Sequence, residues 1–410
     1  MKENAGMAKE RTFVGFGFGA IQSGLFAYEA WRSGNFSRLV VAEVVPQVIA
    51  AVRGNGGTYG LNVATPDGIE CHTVGPVEIL NPAIEADRQR LIEAVAEAAE
   101  LATALPSVKF YGEGQAGDVV DILAEGLERK RKDSGLPAAV IYTGENHNHA
   151  AEILTQLLAR RLGAALGAAR VQVLNTVIGK MSGVVTDARQ ISEQGLLPMA
   201  TGGARAFLVE AFNRILITKI ELPGVRRGIE VFEEKNDLLP FEEAKLYGHN
   251  ATHALIGYLL RSEGGTYMSE ATRHPRLLDL AREAFLLESG GALCRKYQGL
   301  DPLFTKAGYE AYVLDLLARM TNPHLRDAVD RITRDTRRKL GWEDRLVGTM
   351  RLALGQGIHP ERYAKGAAAA VRQLAGEEAS SPERLLNELW ADRGEEGEGP
   401  RIRELIAAAL

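Results

Sequence analysis

Lys245, Asn250 and His253 fall within the nonapeptide KLYGHNATH (245–253), and together they carry the groups needed to handle a proton on an alcohol oxygen. Taking hydride from an alcohol carbon requires a base for the hydroxyl proton and donors for the oxygen as it gains negative charge. A lysine can serve as that base once burial brings its pKa toward neutrality, and an amide such as Asn250 can hold the oxygen. On an uninterrupted helix over 242–260, turning about 100° per residue, Asn250 lies about 140° and His253 about 80° round from Lys245. One broad face then presents all three. Spacing alone also fits a solvated lysine, an incidental asparagine and a half-buried histidine beside Leu255.

A second set of residues supplies a partner for that chemistry. TFVGF (12–16) is a short apolar run of strand formers, and it passes straight into GFGAIQSGLFAYEAW, where Ile21, Leu25 and Tyr28 recur at helical spacing. A strand that turns into a helix through glycines makes Gly17, Phe18, Gly19, Ala20 and Ile21 the candidate dinucleotide loop. Gly17 permits the tight turn, Gly19 lets backbone approach a pyrophosphate, and the helix start offers N–H groups and a positive dipole end. The next strand, RLVVAEV, ends with Glu43, nineteen residues beyond Gly24. An acid there accepts hydrogen bonds from the adenosine ribose hydroxyls and repels a 2′-phosphate, so the expected cofactor is NAD and not NADP. Gln22 stands where the fingerprint wants its third glycine.

The elements that must position these residues alternate through the first half. A helix from Pro46, a hairpin around Pro66-Asp67-Gly68, an Ala-rich helix over about 82–99, the strand LATAL, a helix over about 116–132, the strand AAVIYT, the helix NHAAEILTQLLARRLG and the strand VQVLNTV follow in order. Such alternation calls for a parallel sheet covered on both faces. After TGGAR (201–205) it stops, and beyond a short extended piece the chain to about residue 374 has helical periodicity. The expected fold is α/β: a Rossmann-type parallel-sheet, dinucleotide-binding domain over 1–205, then a mainly α-helical substrate-binding domain over 206–410. Its tail, with a helix start at Ser381-Pro382, a charged glycine-rich linker and a short final helix, reads as a surface appendage.

Composition narrows the function classes. The 410 residues, 46% hydrophobic and 25% charged, suffice for two core-bearing domains. A net charge of −5 provides no positive field for nucleic acid or anionic lipid, so the expected partner is a small molecule. Cys71 and Cys294 stand alone, without a CxxC, which fits a reducing cytosol and excludes a disulfide framework or cysteine zinc site. MKENAGMAKERT is too polar for a signal peptide, and no apolar run approaches the roughly 18 residues of a membrane span. A cytoplasmic protein is expected; its oligomeric state is left open. ENHNHAAE offers His147 and His149, but no third ligand or basic surface accompanies them and the ββα context of an HNH nuclease is missing. No metal is expected, and Asn146 is the functional candidate of that segment. RDTRRKL (334–340) offers Arg337, Arg338 and Lys339 either to a phosphate-bearing substrate or simply to solvent.

The Lys-x4-Asn-x2-His pattern of Lys245, Asn250 and His253 resembles the signature of the polyol-specific long-chain dehydrogenases, the mannitol dehydrogenase family. GFGAIQSG is similar to that family's N-terminal GAGxIGRG, and YTGENHN to its Cys-Glu-Asn or Cys-Asp-Asn strand end. DRLVGTMRLALGQGIHPERYAKGAAAAV is similar to its C-terminal DRL helix pair, so the likeness runs from about Phe13 to Val371. The resemblance implies a metal-independent, NAD-dependent oxidoreductase in which Lys245 is the general base, Asn250 and Asn146 hold the reacting oxygen, and His253 positions the substrate hydroxyls. It implies a polyol or ketose as substrate, phosphorylated in the branch of mannitol-1-phosphate 5-dehydrogenases, which chain length and the DRLVG segment favour. Mannitol 2-dehydrogenases and the reductases of fructuronate or tagaturonate are the longer alternatives. A nucleotide-binding sensor without turnover is an alternative of another class, against which the intact Lys245, Asn250 and His253 argue. NTVIGKMS (175–182) departs from the family's Val-Asp-Arg-Ile, leaving Gly179 and Lys180 out of pattern.

Overall fold

TFVGF forms a central strand, β1 (Thr12–Phe16), buried along its whole length. The computed structural model describes residues 11–112, 114, 117–163, 165–391 and 398–410, and it divides at Leu238/Leu239 into two units. The other strands of the first unit are β2 (Arg38–Ala42), β3 (Tyr59–Ala64), β4 (Ile69–Val74), β5 (Glu78–Leu80), β6 (Ala98–Thr103), β7 (Ala139–Thr143), β8 (Val171–Val177), β9 (Ser182–Val185), β10 (Ala206–Glu210), β11 (Leu216–Thr218) and β12 (Glu233–Lys235).

The larger sheet runs β12-β11-β8-β7-β6-β1-β2-β5. From β5 across to β8 every pairing is parallel, which buries both faces and explains the near-continuous apolar runs. Alternate residues of β1 serve opposite cores: Phe13 packs with Leu25 and Phe26 of the first helix, Val14 and Phe16 with Leu91, Leu123 and Leu154 of helices on the other face. The chain moves outward from β1 through β2 to β5, then returns to the other side of β1 with β6. At that reversal the loops leaving β1 and β6 part, and a crevice opens at the carboxyl ends of the strands. This is the expected Rossmann-type arrangement.

The hairpin anticipated around Pro66-Asp67-Gly68 is β3 and β4, antiparallel from Tyr59↔Val74 to Ala64↔Ile69. It does not stand alone. β10 adds to β3 in parallel and β9 to β10 antiparallel, giving a second sheet, β4-β3-β10-β9. Residues 206–238, expected in the helical half, therefore belong to the first unit, because β10 pairs with β3, β11 with β8 and β12 with β11. The boundary lies at 238/239 instead of 205/206. The piece at 206–224 reads as extended, but its strand partners lie elsewhere in the sequence, so nothing local tells which unit it joins.

The second unit, Leu239–Leu410, is helical. One long helix, Glu361–Glu377, starts under the buried Glu288 carboxylate, which accepts hydrogen bonds from the backbone N–H groups of Arg362 and Tyr363 (2.9 and 3.1 Å) and so satisfies donors that a helix start leaves open. The C-terminal stretch is not a surface appendage. Leu385, Trp390, Ile402 and Ile406 are buried, and the Trp390 indole N–H donates to the Leu340 carbonyl at 2.9 Å. Helices Pro382–Leu389 and Glu398–Ala409 thus complete the core of this unit; the charged linker read between them falls at 392–397, outside the described residues. Among the described residues no helix is long and apolar enough to cross a membrane.

Candidate active site

In the first unit the crevice at the β1/β6 reversal is a cavity of about 780 Å³ whose walls include Gly17, Phe18, Gly19, Ala20, Ile21 and Glu43. All six cofactor-site residues read from the sequence therefore meet there. Gly17 turns with φ +87°, and a Cβ on it would stand 2.8 Å from the Ala104 carbonyl oxygen, so only glycine fits. A Cβ built on Gly19, by contrast, would meet no protein atom within 4 Å: the protein itself does not require that glycine, and the space above it is available to a phosphate group. Phe18 is buried, its ring edge-on to Tyr59 and Phe207 of the second sheet with centroids 5.0 and 5.6 Å away. Its side chain anchors the loop, and its contribution to the cavity is backbone.

Gln22, out of pattern in the sequence, has a structural answer. A Cβ on Gly15 of β1 would lie 2.1 Å from the Gln22 side-chain nitrogen. The close helix–strand approach served by a glycine on the helix in the usual fingerprint is served here by a glycine on the strand, with the long amide folded over it. Glu43 sits at the end of β2 with one carboxylate oxygen accepting from the N–H groups of Val44 and Val45 (2.6 and 2.9 Å). The turn's own amides thus hold the carboxylate in place at the cavity wall.

Asn146 is exposed just beyond the carboxyl end of β7. The preceding residue, Glu145, is buried and ties together three pieces of chain: its carboxylate accepts from the Thr103 hydroxyl (2.9 Å), the Tyr111 hydroxyl (2.5 Å) and the Leu105 N–H (2.9 Å). Beside that charge, and under heavy burial, the Tyr111 hydroxyl is pushed well above the ordinary tyrosine range. Sequence reading passed over Glu145 for its neighbour, although an acid adjoining a candidate polar residue was a signal. Lys180 is buried and donates to the carbonyls of Glu210 (2.5 Å) and Phe212 (2.7 Å), so this departure from the family pattern ties the β8–β9 connection to the end of β10.

In the second unit, KLYGHNATH lies on one continuous helix from Leu239 to Ser262, but Ala244–Asn250 is a π-helical turn within it. This corrects the geometry expected of a regular helix. Hydrogen bonds from i to i+5 wind each residue through a smaller angle than an α-helix does, so Lys245 and Asn250 are separated by less than the about 140° of a regular helix. Burial pushes the Lys245 ammonium down to about 8; nearby Glu242 opposes the shift and Arg345 adds to it. His253 is buried one turn on, its Nε2 3.0 Å from Asp327 Oδ2. Asp327 also takes Arg331 on its other oxygen at 2.6 Å; burial raises its carboxyl pKa, but His253 and Arg331 together hold it below the usual range. His249, fully inside the helix packing, is driven well below the ordinary histidine pKa by burial, then by His253, Arg319, Lys245 and Arg345.

Asp327, Arg319 and Arg345 were not legible as site residues, since each comes from a different part of the chain. Arg337, Arg338 and Lys339 are otherwise engaged. Arg337 pairs with Glu378 (2.5 Å) and Arg338 with Asp344 (3.0 Å), while the buried Lys339 ammonium donates to the carbonyls of Ile332 (2.5 Å) and Arg334.

Comparison with known proteins places this arrangement. Residues 237–405 match the mannitol dehydrogenase C-terminal domain. Over 384 residues the chain is 29% identical to the mannitol-1-phosphate 5-dehydrogenase of Bacillus licheniformis, covering 93% of this chain and 92% of that one. The second unit belongs to the mannitol dehydrogenase C-terminal domain family. Among mannitol dehydrogenase folds of known structure, the chain is similar to the Pseudomonas fluorescens mannitol 2-dehydrogenase solved as a ternary complex with NAD and D-mannitol (TM-score 0.65, 19% identity, 89% of this chain and 79% of that one). A D-sorbitol dehydrogenase solved in substrate-free form is also similar, with a TM-score of 0.75, 16% identity, and 97% of this chain and 92% of that one covered. The family match begins at 237, next to the unit boundary at 238/239.

Proposed function

We propose that this chain is a mannitol dehydrogenase family oxidoreductase that interconverts mannitol 1-phosphate and fructose 6-phosphate with NAD, using Lys245 as the general base. The observation that carries the substrate choice is the end-to-end similarity to a mannitol-1-phosphate 5-dehydrogenase, with 93% of one chain and 92% of the other aligned.

The first unit fits the cofactor. Open space over Gly19, the strained turn at Gly17 and the carboxylate of Glu43 at the cavity wall match the needs of a pyrophosphate and an unphosphorylated ribose. When bound, NAD supplies the hydride acceptor through its nicotinamide ring. In the oxidising direction neutral Lys245 takes the proton of the substrate hydroxyl; in the reducing direction its ammonium returns that proton. Its pKa of about 8 keeps both forms accessible near neutrality. Asn250, on the same π turn as Lys245, donates its amide to the oxygen as charge develops. Asn146 is assigned to the same oxygen on its motif, and His253, steadied by Asp327, to the substrate's further hydroxyls. The unpaired Cys71 and Cys294 accord with a cytoplasmic setting.

The test is a comparison of fructose 6-phosphate, fructose, fructuronate and tagaturonate as oxidants of NADH. Fructose 6-phosphate should give the highest kcat/KM. Faster use of free fructose or of either uronate rejects the substrate assignment, and thermal stabilisation by NADH without turnover of any of them would identify a binding protein.

A further inference from the structure

We propose that the free edge of β9 recognises the carboxamide of the nicotinamide ring through the backbone carbonyl of Ser182 and the backbone N–H of Val184. This rests on the NAD reading above and specifies which part of the cofactor this segment holds. β9 is the terminal strand of the second sheet, paired on one side only, with β10. Ser182, Gly183 and Val184 all line the dinucleotide cavity, so a strand edge forms part of its wall.

The register tells which backbone groups that edge presents. Glu210 N–H donates to the Met181 carbonyl at 3.0 Å, and Leu208 stands opposite Gly183 and Ala206 opposite Val185. Antiparallel pairs alternate between bonded and non-bonded positions. Met181, Gly183 and Val185 therefore direct their polar groups at β10, while Ser182 and Val184 direct theirs to the open side. The other edge of β10 agrees: the Phe207 carbonyl accepts from the Asn62 side chain of β3 at 2.8 Å, so Phe207 faces β3, as the alternation requires.

A carbonyl at one residue and an N–H two residues later point the same way from a strand. Together they match a primary amide, which offers an N–H donor and a carbonyl acceptor on one carbon. NAD carries such a group on the nicotinamide ring. The adenine ring, which also pairs donor with acceptor, lies on the wrong side of the crevice. Glu43 at the end of β2 is the proposed contact of the adenosine ribose, whereas β9 starts five residues after the end of β8, the strand next to β7 on the other side of the strand reversal.

Calorimetric titration of the full-length protein with NADH, with reduced 3-acetylpyridine adenine dinucleotide and with ADP-ribose tests the assignment. The acetylpyridine analogue replaces the amide nitrogen by a methyl group, so the wild-type protein should bind it roughly 3- to 10-fold more weakly than NADH, the scale of one net hydrogen bond. Val184→Pro removes the N–H on an edge where proline is tolerated. It should weaken NADH and the analogue by a similar factor, since both keep the carbonyl that the Val184 N–H meets, and leave ADP-ribose within about two-fold. Equal wild-type affinity for NADH and the analogue overturns the proposal whatever the variant does. So does a Val184→Pro protein that binds NADH normally, or one that loses NADH and ADP-ribose alike. A wild-type protein that binds neither NADH nor ADP-ribose would instead overturn the NAD reading on which the proposal stands.

Discussion

His253 and Asp327, 74 positions apart in the chain, face each other across 3.0 Å inside the second unit, with Arg331 on the far oxygen of the carboxylate. Burial of Asp327 opposes its charge, and His253 and Arg331 together more than offset that, leaving its pKa lowered. A carboxyl whose folded pKa lies below its unfolded value stabilises the fold above the ordinary carboxylate pKa, and that contribution is lost as pH falls through the folded value. Asp327→Asn should therefore cost about 1–3 kcal/mol at neutral pH and progressively less below about pH 4. Urea unfolding of both proteins across pH 3 to 7 measures it; a pH-independent difference would show that the charge of Asp327 is not what matters.

Lys245 is depressed to about 8 mainly by burial. Polyol oxidation should rise with pH through that value as the amine becomes neutral, and ketose reduction should fall through it. Lys245→Met keeps most of the apolar stem and should leave NADH affinity intact while lowering turnover by roughly two or more orders of magnitude. Near wild-type turnover in a variant that binds NADH normally would remove Lys245 from the mechanism. Asn250→Ala should likewise lower kcat more than it weakens nucleotide binding.

At Glu43 the carboxylate is fixed by the amides of Val44 and Val45. Wild type should strongly prefer NAD over NADP. Glu43→Ser, combined with Val44→Arg, should shift the ratio of kcat/KM values toward NADP by at least tenfold, about 1.4 kcal/mol. Equal wild-type efficiency with the two cofactors would show that Glu43 does not meet the ribose.

Gly17→Ala combines an unfavourable φ of +87° with a Cβ placed 2.8 Å from the Ala104 carbonyl. It should cost about 1–3 kcal/mol in stability and weaken NADH and ADP-ribose together, because the turn that carries both must shift. Unchanged affinity for both would mean that the loop does not hold the pyrophosphate.

Far from the crevice, at the amino end of β6, the buried Lys130 ammonium donates to the carbonyls of Ala98 (2.8 Å) and Pro137 (2.7 Å). Burial lowers its pKa to about 7, with Arg170 adding to the shift and Glu97 opposing it. The unfolded chain holds this proton up to the ordinary lysine pKa of about 10.4, so between about pH 7 and that value Lys130 should make stability rise with pH. Lys130→Met should flatten that rise and leave two carbonyls unpaired, at about 1–3 kcal/mol. Unfolding free energies at pH 7 and 9 for the two proteins provide the check; a parallel pH dependence would show that Lys130 is protonated throughout.

What the sequence determined by itself was whatever depends on neighbours along the chain. The β1 run, the Gly17-to-Ile21 turn into a helix, Glu43 at the next strand end and the hairpin at Pro66-Asp67-Gly68 are local patterns, and each stands where its period or turn chemistry put it. Tertiary structure alone decided the features that depend on distant partners. β10 and β11 lie in a piece that reads only as extended, and with β12 they join the first unit by pairing with β3, with β8 and with one another. Gln22 fits because Gly15, on another element, makes room. The C-terminal helices, charged enough to read as an appendage, bury Trp390 and Ile402 against residues upstream. The angle between Lys245 and Asn250 was misjudged for the same kind of reason: a π turn is one extra residue accommodated by packing, and the spacing of side-chain types along a sequence does not record it. Residue types and order marked where the chemistry could be; burial, which sets the Lys245 pKa, and the Asp327 carboxylate beside His253 came only with the folded chain, because both are made by groups that the sequence keeps far apart.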